Sequence, residues 1–212
     1  MVRVVALAFV IGSALLVSSS DTPVFTTRDK AFFADPAVVN FVRPGLAVKI
    51  NSASVAADGT IQVRFTLTDP RGLPLDRGGV NTPGPVSTSF VAAYIPKGQT
   101  NIIAYTKRTQ TSPITRVSAV QPAADSGGQY QPVADGQYTY TFATKAPAGF
   151  DLEATTTIGV YATRDLSEFD LETNSANDIF HFVPNGSPVV NVHEVVRTET
   201  CNKCHNPLMA HG

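Results

Sequence analysis

All soft-ligand and imidazole chemistry in this chain sits close to its C-terminus. The four histidines and two cysteines are His181, His193, Cys201, Cys204, His205 and His211, and none occurs earlier. The central pattern is Cys201-Asn202-Lys203-Cys204-His205. A C-x-x-C-H run reads as covalent attachment of c-type haem. Thiols one turn apart reach the two vinyl groups of one porphyrin, and the adjacent imidazole lies beneath the iron. A neutral ring nitrogen donates to iron without adding charge. His205 is therefore the expected proximal ligand, Cys201 and Cys204 the expected attachment points, and haem c the expected cofactor.

Three other readings of these residues stay open. A structural zinc site needs four ligands, so His205 and His211 would have to complete the cysteine pair. A thioredoxin-like redox pair belongs at a strand-to-helix junction in a βαβ unit, which this segment does not offer. A structural disulfide would close a very small loop. His211 reads as a distal iron ligand, to this haem or a neighbouring one, or as an exposed tail histidine. His193, in Val192-His193-Glu194-Val195-Val196, is as readily a surface histidine as a haem neighbour. His181 alternates with Phe180 and Phe182 and reads as a strand histidine. The few residues after Cys204 can cover little of a haem's apolar surface. Residues 189–212 are thus expected to be the start of a haem-binding region that the sequence cuts short.

The elements that must position this segment begin with an export signal. Arg3 precedes an apolar run over residues 4–17, and Ser18-Ser19-Ser20 offers small residues for cleavage, so residues 1–20 read as a signal peptide. The run is short for a membrane span, which needs roughly 20 apolar residues. No cysteine follows it, so a lipid anchor is not indicated. The protein is expected outside the cytoplasm, in the periplasm or at the outer membrane and cell surface, where c-type haem is attached.

Composition narrows the partner classes. The 212 residues carry 16 Lys+Arg against 17 Asp+Glu, and only 16% are charged. That balance excludes a basic nucleic-acid binder. With 15 Gly and 15 Pro, and abundant Val and Thr, the chain suits short strands and turns, not a helix bundle. Two cysteines cannot form a disulfide framework.

Residues 21–45 read as a lead-in in which Pro36 interrupts any helix. From Leu46 the pattern becomes that of strands. Val48 and Ile50 alternate with polar neighbours, and Asp58-Gly59 signals a hairpin. Ile61, Val63, Phe65 and Leu67 share one face at period two, and Asp69-Pro70-Arg71-Gly72 ends that strand. Residues 73–86 form a long loop. Strands are expected at 90–95, 102–105 and 114–120, then a loop over 123–136. Asp135-Gly136 opens the clearest strand, with Tyr138, Tyr140 and Phe142 on one face. Residues 155–163 and 179–183 follow. About seven or eight strands between turns imply a mainly β fold over residues 46–188: an antiparallel immunoglobulin-like or Greek-key sandwich or barrel.

At these residues the chain resembles the N-terminal part of an OmcA/MtrC-type outer-membrane multihaem cytochrome. The most specific stretch is Cys201-Asn202-Lys203-Cys204-His205 with Leu208 and His211-Gly212, similar to that family's first haem motif. Asn40-Phe41-Val42-Arg43-Pro44-Gly45-Leu46, Gly72-Leu73-Pro74-Leu75-Asp76, Thr82-Pro83-Gly84, Gly136-Gln137-Tyr138-Thr139-Tyr140-Thr141-Phe142 and Phe182-Val183-Pro184-Asn185-Gly186 also fit. The resemblance implies β-domains alternating with haem-bearing domains, and electron transfer through bis-histidine haems to extracellular acceptors such as metal oxides. It favours His211 as a ligand. It implies other cytochromes or an outer-membrane electron conduit as partners.

No Ser-His-Asp set, paired acidic dyad or phosphate loop is present, so an electron carrier is expected and not an enzyme. The alternative is an exported β-sandwich binding module for a polysaccharide or a protein partner. Its loops 73–86 and 121–136 would then be the binding edges, and the C-terminal motif incidental.

Overall fold

The computed structural model describes residues 25–193. Cys201, Cys204, His205 and His211 lie outside the described residues, as does the signal segment 1–20. Two short helices lead in: α1 (Lys30–Phe33) and α2 (Pro36–Val42). Ten strands follow among the described residues: β1 (Ala47–Val55), β2 (Thr60–Thr68), β3 (Val86–Ile95), β4 (Ile103–Ala104), β5 (Lys107–Thr111), β6 (Ser118–Pro122), β7 (Gln129–Ala134), β8 (Gln137–Lys145), β9 (Thr155–Arg164) and β10 (Asn174–Phe182).

They form two antiparallel four-stranded sheets, ordered β1-β2-β8-β7 and β10-β9-β3-β4, and a separate two-stranded ribbon β5-β6. The mainly β expectation holds, as a sandwich. The sheets are not joined by a ladder at the β1/β10 edge. There the Asp178 carboxylate accepts from Ile50 N–H (2.7 Å) and pairs with the Lys49 ammonium (3.1 Å).

Period-two patterning explains the core. Ile61, Val63, Phe65 and Leu67 of β2 are buried on one face, as are Ile158, Val160 and Ala162 of β9. Between them lies an aromatic cluster. Phe90 stacks on Tyr140 (centroids 4.6 Å apart) and meets Phe65 edge-on (5.1 Å). Tyr138 stacks on Phe65 (5.6 Å). Such pairs add to the area they bury. At the β7–β8 turn Gly136 has φ +67°, and a Cβ there would press on the Leu67 carbonyl (2.7 Å), which makes glycine the residue for this turn.

The structure departs from the sequence expectation in four places. Pro36 does not abolish a helix; it is the first residue of α2, where its missing N–H costs nothing, and Asp35 caps the turn by accepting from Ala37 N–H (2.7 Å). Residues 123–136 are not all loop, because β7 runs through them as an edge strand on β8. The alternation at 114–120 marks no half-buried strand. Ile114 (90% exposed), Val117 and Val120 stand in solvent on the turn and second strand of the ribbon. Finally, β5 (Lys107–Thr111), polar throughout, pairs with β6.

Arg164, at the end of β9, is fully buried (0%). Its guanidinium donates to the carbonyls of Val42 (2.7 Å), Arg43 (2.7 Å), Gly45 (3.0 Å) and Pro83 (2.6 Å). Val42 and Arg43 are the carbonyls that the end of α2 leaves orphaned. Burial pulls the Arg164 pKa down to about 10, helped by the nearby Arg43 charge and opposed by Asp69. The side chain still carries its proton at neutral pH.

Asp125 plays the same part in reverse. Its carboxylate accepts from Tyr140 Oη (2.8 Å), Ala143 N–H (2.9 Å), Thr144 N–H (3.0 Å) and Thr144 Oγ1 (2.6 Å). Burial raises its pKa, but these donors outweigh burial and hold it below the ordinary carboxylate value.

Two outcomes follow. Arg164→Met leaves two buried and two part-buried carbonyls without their donor, and chemical denaturation should show a loss of about 3 kcal/mol or more. Asp125 stabilises the fold in its charged form because its folded pKa is lowered. That contribution is present above the ordinary value of 3.8 and drains as the pH falls through the lower folded value. Thermal melts should therefore steepen downward on the acid side, and Asp125→Asn should flatten that limb while lowering stability at neutral pH.

Candidate functional site

Two places on the sandwich bear on function. The first is where the chain leaves it towards the C-x-x-C-H segment. After β10, Asn185 N–H donates to the Leu152 carbonyl (3.1 Å), and the Asn191 side-chain amide donates to the Gln99 carbonyl (2.6 Å). The exit path therefore runs over loop 147–154 and the turn that follows β3. Those two segments are tied together by the Lys97–Glu153 ion pair (2.8 Å). Exposed apolar side chains gather along these segments and the exit path: Ile102, Leu152, Val189, Val190 and Val192.

Of the histidines singled out by the sequence, two fall within the described residues. His181 sits half-buried on β10, with Nδ1 2.9 Å from Thr157 Oγ1 on the neighbouring β9. It is a strand histidine, as its alternation with Phe180 and Phe182 suggests. His193 is the last described residue and is exposed. Among the described residues no three His, Cys, Asp or Glu side chains converge as a metal site would require. Cys201, Cys204, His205 and His211, the residues the sequence offers for haem, lie outside the described residues.

The second place is a groove of about 880 Å3. The loop between β2 and β3 forms one wall, with Pro74, Asp76, Arg77 and Asn81; β7 and its turn form the other, with Tyr130, Pro132 and Asp135. These are the two segments, 73–86 and 121–136, that the sequence offers as binding edges, and the fold brings them face to face. Asp76 organises the first wall. Its carboxylate accepts from the N–H groups of Gly78 (3.0 Å), Val80 and Asn81 (2.9 Å), with Tyr138 Oη nearby (3.5 Å). Burial pushes its pKa up, yet these donors prevail and hold it below the ordinary value. Arg77 was not singled out by sequence. Its guanidinium lies over the Tyr130 ring, 3.9 Å from the centroid, and no residue-type pattern in the sequence announces that pairing.

No protein-family model matches the chain, and no curated protein is significantly similar to it. Solved structures are. The outer-membrane decaheme cytochrome OmcA superposes with a TM-score of 0.52 at 18% identity, over 76% of this chain and 26% of its own. MtrC from Shewanella baltica OS185 gives a TM-score of 0.52 at 21% identity, over 80% of this chain and 27% of its own. The chain thus spans about a quarter of either protein, and what it shares with them is the β-sandwich fold.

Proposed function

We propose that this chain is the β-sandwich-bearing part of an exported, electron-transferring c-type cytochrome, with haem bound at Cys201 and Cys204 and His205 as proximal iron ligand. The observation that carries the proposal is a conjunction: one C-x-x-C-H motif follows, in sequence, a sandwich whose fold occurs in the decaheme cytochrome OmcA and in MtrC. Two thiols and an adjacent imidazole are the donor set that c-type haem takes. When bound, haem supplies single-electron chemistry; the chain holds it, supplies the imidazole and transforms no substrate.

Several features support a role within a longer assembly. The exit path is pinned to the sandwich by Asn185 and Asn191, and exposed valines flank it. An apolar porphyrin needs such surfaces beside it. His211 acts as a distal ligand to this haem or a neighbouring one. Other cytochromes or an outer-membrane conduit deliver the electrons, and an extracellular acceptor such as a metal oxide receives them. The working place is the periplasmic or outer face of the outer membrane. The groove supports a second reading, a ligand-binding module, and the two are compatible in one protein.

Co-expression with periplasmic haem-maturation machinery tests the main proposal. The protein should carry a haem stain through a denaturing gel, and Cys201→Ala with Cys204→Ala should abolish it. His205→Ala should leave the stain but change the spin state and visible spectrum. A colourless wild-type chain, beside a control cytochrome that matures, overturns the proposal.

A further inference from the structure

We propose that the groove between the β2–β3 loop and β7 binds an acidic saccharide, with the Arg77 guanidinium receiving a sugar carboxylate. This rests on the ligand-binding reading of the groove and not on haem. Arg77 stands on the groove wall. Among the described residues its guanidinium makes no hydrogen bond and no ion pair. Yet it is half-buried and held in place. Its backbone N–H donates to Tyr138 Oη (2.9 Å), its carbonyl accepts from Val86 N–H (3.0 Å), and its planar head rests on Tyr130. Tyr130 is itself fixed, because its hydroxyl donates to the Thr88 carbonyl (2.9 Å) and accepts from Thr88 Oγ1 (2.9 Å). A cation immobilised in advance loses little entropy on binding, and a guanidinium fork fits a carboxylate in a bidentate manner.

The other charges lining the groove are committed or outward. Asp76 is saturated by backbone amides. Arg43 pairs with buried Asp69 (3.6 Å) and donates to the Pro74 carbonyl (2.7 Å). Asp135 is exposed on the rim. Arg77 is thus the one cation in the groove whose donors are uncommitted among the described residues.

Ligand class follows from the rest of the lining. The volume of about 880 Å3 lies in the span of roughly 300–1,000 Å3 common to small-ligand sites, which is ample for linked sugar rings. Pro74 and Pro132 offer apolar surface to ring C–H faces, and the Asn81 side-chain amide makes no hydrogen bond among the described residues. An added peptide strand fits poorly. The β7 edge carries Pro132, which has no N–H, and its register slips between Pro132 and Ala134, so it lacks the even row of donors that strand addition uses.

The test is calorimetric titration of the full chain with an oligogalacturonate, beside the same oligomer with its carboxylates methyl-esterified. The acidic oligomer should bind, the ester should not, and added salt should weaken binding. Arg77→Gln should weaken it at least about tenfold. Arg77→Lys, which keeps the charge but loses the fork, should fall between. Melting temperatures of both variants should match wild type, and Tyr130→Phe, which keeps the stacked ring, serves as a second probe with a smaller loss. Equal binding of acid and ester, unchanged binding by folded Arg77→Gln, or no binding at all overturns the proposal. So does an oligoglutamate peptide that binds through Arg77 more tightly than the sugar.

Discussion

One buried guanidinium holds the parts of this sandwich in register. Arg164 pairs across the sheet with Val86 on one side and Asn174 on the other, at the end of the central strand β9. From there it reaches the last carbonyls of α2, the Gly45 carbonyl before β1 and the Pro83 carbonyl before β3. Gly45 is gripped from both sides, because its N–H donates to the Asn174 side chain (2.9 Å). Two segments distant in sequence, residues 42–45 and Pro83, thereby share the donors of a third. The lead-in helices then close over that end: Val42 and Ala31 pack with Leu166 and Leu171.

Carboxylates complete what Arg164 begins. Asp76 gathers the amides of its own loop, Asp125 those near the end of β8, Asp69 accepts from Arg71 and Leu73 N–H (both 2.9 Å), and Asp178 bridges the open edge. A chain with few charges uses many of them as internal acceptors. The consequence is loops with fixed shapes, and one of those shapes is the wall of the groove. The long β2–β3 segment is irregular in secondary structure but not in conformation, because Asp76, Arg77 and Thr82 each hold a backbone or aromatic partner.

Much of this was legible from sequence where one face alone is buried. Ile61 to Leu67 and Tyr138 to Phe142 show period two because each strand has one side in the core. Asp58-Gly59 and Asp135-Gly136 mark turns by backbone demand. The same signal misleads at Ile114 and Val120, which alternate on a ribbon that stands apart from both sheets. Strands β5 and β7 were illegible because Gln, Thr and Pro fill them and ladder pairing, not side-chain burial, defines them. Arg164, in Thr163-Arg164-Asp165, has the local look of a surface charge. The C-x-x-C-H reading rests on adjacent residues alone, and Cys201, Cys204 and His205 lie outside the described residues. The groove was legible only as two separate loops, since their meeting depends on sheet order.

The aromatic cluster also makes the molecule its own optical reporter. The chain has six tyrosines and no tryptophan, and Tyr130, Tyr138 and Tyr140 lie within the stacked core while Tyr94 stacks on Tyr105 (4.5 Å) near the exit end. Ultraviolet emission and near-ultraviolet dichroism therefore arise mainly from rings held in the sandwich, with Tyr161 exposed on β9, undiluted by indole. A porphyrin absorbs where tyrosine emits and accepts its excitation over nanometre distances. Emission lifetimes in such a chain become a ruler between the folded sandwich and any porphyrin attached to the same chain.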